Sequence, residues 1–146
     1  MKLHQLSLFL ENKPHQLRMP VQLLGKAGLD ILTLSLADTQ QFGILRIIVD
    51  DWQKAKPILE SAGCVVKVTE VVAIEVPDRP GGLADVLTII DHSELNIEYV
   101  YSCTFHRNKQ AVLVFRFQES IEQVAAVLKS QDVRFVGDDD LRRRSQ

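Results

Sequence analysis

The sequence predicts an α+β protein made of two copies of one βαββαβ unit, each an antiparallel four-stranded sheet with both helices packed on one face. Three observations carry this. The chain repeats itself at an offset of 66 to 69 residues, each copy runs through apolar stretches of period two and period 3.6 in one order, and 146 residues is the size of two small domains. Asn12, Lys13, Pro14 and Leu17 recur as Asp78, Arg79, Pro80 and Leu83, and Leu24, Leu29, Asp30, Ile31 and Leu34 fall on Ile90, Leu95, Asn96, Ile97 and Val100, all at an offset of 66. Gly43, Ile44 and Leu45 then meet Ala111, Val112 and Leu113 at 68, and Trp52, Ala55 and Leu59 meet Ile121, Val124 and Leu128 at 69. These shifts fall where loops are expected. The domains are therefore set at 1–69 and 70–146, the second ending in a short charged tail.

In the second copy Val72, Ile74 and Val76 alternate with Ala73 and Glu75, the period of a half-buried strand. A turn signal follows at Pro77 to Gly82. Leu83, Val86, Leu87 and Ile90 then stand at i, i+3, i+4 and i+7, one face of a helix. Asn96 to Thr104 and Gln110 to Phe117 are rich in β-branched and aromatic residues and are joined by a polar turn at His106 to Lys109, which reads as a hairpin. Glu119 or Ser120 caps a second helix striped by Ile121, Val124, Val127 and Leu128, and Val133 to Val136 closes as a short strand.

The first copy matches, with strands near Leu3 to Leu10, Asp30 to Ala37, Gly43 to Val49 and Val65 to Thr69, and helices near Leu17 to Ala27 and Trp52 to Ala62. Pro20 lacks an N–H, so an undistorted first helix is expected to begin no earlier than about Arg18. Trp52 is expected to open the second helix against the core, and Pro57 to kink it. This element order builds the ferredoxin-like arrangement. A unit of this size has a marginal core and bare sheet edges, so the copies are expected to pair with each other, and pairing of whole chains into a homodimer is expected too.

Composition narrows the function. Seventeen basic against nineteen acidic residues give a net charge of -2, so no overall field draws the chain to nucleic acid or to an anionic membrane. The longest apolar runs, Ala111 to Phe115 and Val124 to Leu128, are far too short to span a bilayer, and Met1 to Leu10 lacks a signal-peptide core. Cys64 and Cys103 form no close pair and read as reduced, buried thiols. The expectation is a cytoplasmic, soluble protein. His4, His15, His92 and His106 are scattered without metal-ligand spacing, so neither a metal nor a cofactor is expected. No nucleophile motif occurs, and Ser7, Ser35 and Ser102 lie in strands without a neighbouring base, so no catalytic residue is assigned and the protein is read as no enzyme. The run from Asp138 to Arg144 reads as a solvated, fraying tail.

The loop from first strand to first helix carries the most chemistry. Pro80 suits a first helical turn, Gly81 and Gly82 let a ligand approach the backbone, and a helix opening there offers N–H groups and a dipole to a carboxylate. Asp78 and Asn96 are available to accept from an ammonium group, so a small zwitterion satisfies both ends; the bland alternative is a well-formed turn. In the first copy His15 and Gln16 stand in place of Gly81 and Gly82, which restricts the backbone and crowds a ligand. The second-copy loop therefore reads as the more regular site.

DRPGGLADVL (Asp78 to Leu87) followed by LNIEYVYS (Leu95 to Ser102) resembles an ACT domain, a small regulatory module that binds amino acids. ENKPHQL (Glu11 to Leu17), GLDILTLSLAD (Gly28 to Asp38) and FGILRIIVDD (Phe42 to Asp51) resemble the first half of stand-alone tandem ACT proteins, so the likeness runs from about His4 to Val136. The resemblance implies two ACT-like units and an amino acid held between paired domains by the strand-to-helix loop and the start of the second strand. Carried over, the ligand-binding positions are Asn12, Lys13, Pro14, His15, Asp30 and Ile31 in the first copy. In the second they are Asp78, Arg79, Pro80, Gly81, Gly82, Leu83, Asn96 and Ile97. The implied partners are a small-molecule ligand, a second copy of the chain, and a regulated enzyme or other protein.

Other readings stay open. The same fold hosts RNA-binding modules that stack bases on central-strand aromatics, and Phe115 and Phe117 alternate onto one face as that needs. Against it, no basic stripe or matching motif occurs. A purely structural protein and an acylphosphatase-like hydrolase using Arg79 and Asn96 are the remaining alternatives.

Overall fold

The computed structural model describes residues 2–103 and 109–146. Thr104, His106 and most of the expected turn at His106–Lys109 lie outside the described residues. The elements are β1 (Lys2–Glu11), α1 (Arg18–Lys26), β2 (Ile31–Thr39), β3 (Phe42–Val49), α2 (Trp52–Ser61), β4 (Val65–Pro77), α3 (Gly82–His92), β5 (Ile97–Ser102), β6 (Gln110–Phe117), α4 (Ile121–Leu128), β7 (Phe135–Val136) and α5 (Asp138–Ser145). The chain divides into a first unit, His4–Thr69, and a second, Glu70–Gln146 with Lys2 and Leu3. Lys2 is tied to the second unit by an ion pair with Glu70 at 3.0 Å.

In the first unit the strands lie in the order β2-β3-β1, with β4 beside β1. The β1–β3 and β2–β3 ladders are antiparallel, with Leu8 opposite Leu45 and Leu36 opposite Leu45. Alternation on these strands sends Leu6, Leu8, Leu10, Leu45, Ile47 and Val49 to one face, where they meet Leu24 of α1 and Ala55 and Leu59 of α2. Trp52 packs against this core and stacks on the His4 ring at 4.7 Å. Helix α1 starts at Arg18, as the missing N–H of Pro20 requires, and Leu17 caps it without a side-chain hydrogen bond. Helix α2 is better closed: the Asp51 carboxylate accepts from the Lys54 N–H at 3.0 Å.

The second unit repeats the plan as β5-β6-β4-β7, all antiparallel. Its core joins Val72, Ile74, Val76, Phe115 and Phe117 to Val86 and Ile90 of α3 and Val124 and Leu128 of α4. A capping box closes α4, with Ser120 and Gln123 bonding each other's backbone. Among the described residues no helix is long and apolar enough to cross a membrane.

Two expectations are corrected. The strands expected at Val65 to Thr69 and Val72 to Val76 are one 13-residue strand, because Glu70 and Val71 supply no turn residue and the backbone stays extended through them. The charged tail is helix α5, and its Leu141 is fully buried. Sign order explains the helix: Asp138, Asp139 and Asp140 sit in its first turn and Arg142, Arg143 and Arg144 in its last, each opposing the helix dipole. Arg144 pairs with Asp140 at 2.9 Å and also with Glu75, a side chain only 8% exposed. Since Ile74 and Val76 point into the helix-side core, Glu75 points to the other face of the sheet, and α5 is an addition to the βαββαβ plan on that face.

Asp140 is held below its ordinary value of 3.8, chiefly by the hydrogen bond from Arg144, and the same bond raises Arg144. A carboxyl depressed in the folded state favours folding above its unfolded value, and the contribution is lost as pH falls through the folded value. Helix α5 is therefore expected to loosen below about pH 4, seen as faster limited proteolysis at the C-terminus. In Asp140→Asn cleavage should already be raised at neutral pH and change little on acidification. Leu141→Ala should cost about 2–4 kcal/mol in urea unfolding.

Candidate functional site

The second-copy loop begins where β4 ends. Pro77 pairs with Gln110 at the start of β6, and the Asp78 N–H donates to the Lys109 carbonyl at 2.8 Å. The chain then tightens, with the Arg79 N–H donating to the Pro77 carbonyl at 2.9 Å and the Gly82 N–H to the Arg79 carbonyl at 3.0 Å. Gly81 caps α3 with φ +84°, a left-handed conformation that glycine adopts without steric cost. Gly82 is required for a different reason: a Cβ there would stand 2.0 Å from the Pro77 carbonyl oxygen. The sequence reading assigned both glycines to close approach of a ligand. In the structure both also serve the turn itself, so a bulky residue at 82 disrupts the turn whether or not a ligand binds.

Arg79 folds back over the start of α3. Its Nη2 lies 2.5 Å from the Asp85 carboxylate and its Nη1 donates to the Pro80 carbonyl at 3.2 Å. The Asp85 N–H already donates to the Gly81 carbonyl. Helix geometry then leaves the Leu83 and Ala84 amides without an intrahelical acceptor, the pair an anion at this helix start can use. Pro80 and Leu83 are exposed beside them.

The first-copy loop has a left-handed residue at the same place but runs two residues further before its helix begins. His15, the counterpart of Gly81, adopts φ +73°. Its Cβ therefore did not prevent the left-handed turn, contrary to the restriction expected. Asn12, Lys13, Pro14 and His15 are all exposed. The Asn12 N–H donates to the Gln41 carbonyl at 3.1 Å, its side chain donates to the Gln40 carbonyl at 3.3 Å, and Lys13 pairs with Glu11 at 2.6 Å.

The strand-start residues lie elsewhere. Asn96 gives its N–H to the Glu119 carboxylate at 3.1 Å and its side-chain amide to Gln118 at 2.9 Å, and Ile97 pairs with Phe117 at the far end of β6. Asp30 exchanges bonds with Asp50, and Ile31 pairs with Val49 at the far end of β3. The loops instead adjoin the first residues of those strands, Gln110 and Phe42. Each central strand has eight residues, so loop and strand start are separated by about 23 Å along it. Within one unit the predicted residues therefore form two half-sites, not one pocket.

Each loop borders a groove that sequence reasoning did not identify. The second is about 530 Å3 and carries Glu75, Asp85 and Asp132 against Arg79 and Arg134. The first is about 560 Å3, lined by His15, Leu17, Arg18, Val21 and Leu34. The only available signal was Leu34, apolar on a strand whose edge position the sequence did not reveal. Among the described residues no group of three or more His, Cys, Asp or Glu could hold a metal ion. Phe115 and Phe117 stack on each other at 5.9 Å, 0% and 2% exposed, and so are closed to base stacking.

Exchanging the left-handed residues should have opposite effects in the two loops. Gly81→His should lose about 1–2 kcal/mol, while His15→Gly should gain up to about 1 kcal/mol, both read by chemical denaturation. Gly82→Ala should lose about 1–3 kcal/mol or more through overlap with the Pro77 carbonyl.

Comparison with known proteins places this geometry. The family model described as an ACT domain pair matches residues 1–144. The crystal structure of protein BT0572 from Bacteroides thetaiotaomicron is 38% identical, with a TM-score of 0.87 over 97% of this chain and 96% of that one. The regulatory subunit of aspartate kinase from Thermus thermophilus, in its ligand-free form, is 15% identical with a TM-score of 0.62, covering 88% of this chain and 93% of that one. The corresponding subunit from Thermus flavus gives 15% and 0.61, covering 86% and 88%. At that identity the last two share the fold alone. No curated protein matches. With one family model spanning both repeats and a relative alike over nearly its whole length, the chain belongs to the ACT domain pair family.

Proposed function

We propose that this protein is a non-catalytic regulatory module that binds a free amino acid between ACT units and signals through the pairing of its chains. The observation that carries the reading is the repeated loop: at the same place in both units a left-handed residue, His15 or Gly81, turns the first strand into the first helix. In the second unit the amides that open α3 and the Arg79 guanidinium suit a carboxylate, and the carboxylates of Asp78 and Asp85 suit an ammonium group. The proposed binding positions are Asn12 to His15 with Asp30 and Ile31, and Asp78 to Leu83 with Asn96 and Ile97.

Because loop and strand start lie at opposite ends of a unit, one small ligand cannot touch both halves of the same unit. The proposal therefore has the missing half supplied by a second copy of the chain in a homodimer. Ligand binding is then coupled to pairing, as a sensor needs, since a ligand shifts an equilibrium only by its differential affinity for the two states. The regulated target is an enzyme or other protein in the cytoplasm, where the unbridged Cys64 and Cys103 stay reduced. The aspartate kinase subunits that share the fold are named as regulatory, which suits this reading.

A thermal-shift screen of the twenty amino acids tests it. At least one should raise the melting temperature in proportion to the logarithm of its concentration, and a flat response to all twenty removes the proposal. Arg79→Ala and Asn96→Ala should each weaken binding at the second-copy site, and a re-equilibrated mixture of the two variants should recover part of it, since some sites then join two intact halves. No recovery would rule out sharing between chains.

A further inference from the structure

The two grooves differ in chemistry. The groove beside the second loop is lined by five charged residues, Glu75, Asp85, Asp132, Arg79 and Arg134, with the apolar Pro77, Val86 and Ile89 among them. Beside the first loop the walls are Leu17, Val21 and Leu34, and only His15 and Arg18 are polar. Leu34 is 48% exposed and Leu17 39%, so this apolar surface stands open to water. Its volume lies within the roughly 300–1,000 Å3 usual for small-molecule sites.

The charge at its rim has one sign. Arg18 is the first residue of α1, whose first turn holds no acidic residue and whose cap, Leu17, offers no side-chain acceptor. Among the described residues no carboxylate pairs with Arg18. An apolar channel beside a cation matches a molecule with an anionic head and a hydrocarbon body. A charged or hydroxylated side chain laid in the same channel would lose water without gaining a partner.

We infer that the first-copy groove receives an aliphatic amino acid, its carboxylate drawn to Arg18 and its side chain laid against Leu17, Val21 and Leu34. The inference rests on the amino-acid reading above and narrows it to one ligand class at one of the two loops. His15 lines the same groove and holds its left-handed conformation there.

The test is calorimetric titration of the full chain with leucine, isoleucine, valine, alanine, serine, lysine, glutamate and 4-methyl-2-oxopentanoate. In the binding that Arg18 and Leu34 support, the expected order is leucine or isoleucine, then valine, then alanine, with affinity falling roughly fourfold per methylene removed, and serine, lysine and glutamate give no heat that changing either residue alters. Leu34→Asp, at a half-exposed position, and Arg18→Gln, at an exposed one, should each weaken leucine about tenfold or more, with unchanged circular dichroism. Three results overturn the inference while leaving an amino-acid sensor standing: a polar amino acid bound more tightly than leucine and weakened by both variants, leucine affinity indifferent to both variants, or Leu34→Asp dissociating a dimer in sedimentation without changing binding, which makes the groove the seat of a second copy. Preference for the oxo acid over leucine overturns the amino-acid occupant. Silence from all twenty amino acids removes the broader reading and this one together.

Discussion

The antiparallel register of the central strands is the constraint on which the functional geometry depends. In a βαββαβ unit the first strand leaves the sheet beside the start of the third, and the second strand enters beside its end. Glu11 opposite Phe42 and Ile31 opposite Val49 fix this in the first unit, and Pro77 opposite Gln110 and Ile97 opposite Phe117 fix it in the second. No side-chain rotamer spans the resulting gap. A small ligand that needs both groups must take them from different units. Under the proposed function, recognition and pairing then share one free energy.

The two copies meet the turn requirement differently. Gly81 adopts its left-handed conformation at no steric cost, and Gly82 leaves space for the Pro77 carbonyl. In the first copy His15 takes the same conformation with a Cβ, and α1 starts later than α3 does in register, at Arg18, because Pro20 interrupts the first turn. The later start lengthens the loop, places Leu17 and Arg18 at its rim and leaves them exposed. The divergence of one proline thus reaches the chemistry of the adjoining groove.

Much of the fold was legible because it rests on local signals. The repeat, the two periods and the effect of Pro20 located the helices and most strands, and Ser120 was readable as a cap. What failed depended on surroundings. Whether Glu70 and Val71 bend or continue is decided by the ladder they join. Whether DDDLRRR frays or folds is decided by Leu141 finding a buried seat and Arg144 finding Glu75, partners nearly 70 positions away. The turn requirement at Gly82 was not legible because the atom that demands it is a backbone carbonyl, which leaves no trace in residue type. Candidate residues were nameable from the resemblance, but their separation into two half-sites is a property of register, and the grooves are a property of which strand lies at an edge.

Helix α5 bears on the second groove through Glu75. Glu75 lines the groove, and its carboxylate, on the α5 face of the sheet, bonds Arg144, while Arg134, another lining residue, lies 3.4 Å from it. With Glu75 matched by two guanidinium groups, Asp132 and the Arg79–Asp85 pair set the remaining character of that groove, which is polar and close to charge balance. The first groove has no equivalent of α5, Glu75 or Asp85, and its only formal charge comes from Arg18. Duplication preserved the turn geometry while the surroundings of each loop diverged. The walls beside the two loops differ, and under the proposed function they would not favour the same side chain, because burying a carboxylate against leucine is unfavourable. A chain built this way presents two unlike surfaces from one fold, and the asymmetry follows from side chains together with the later start of α1.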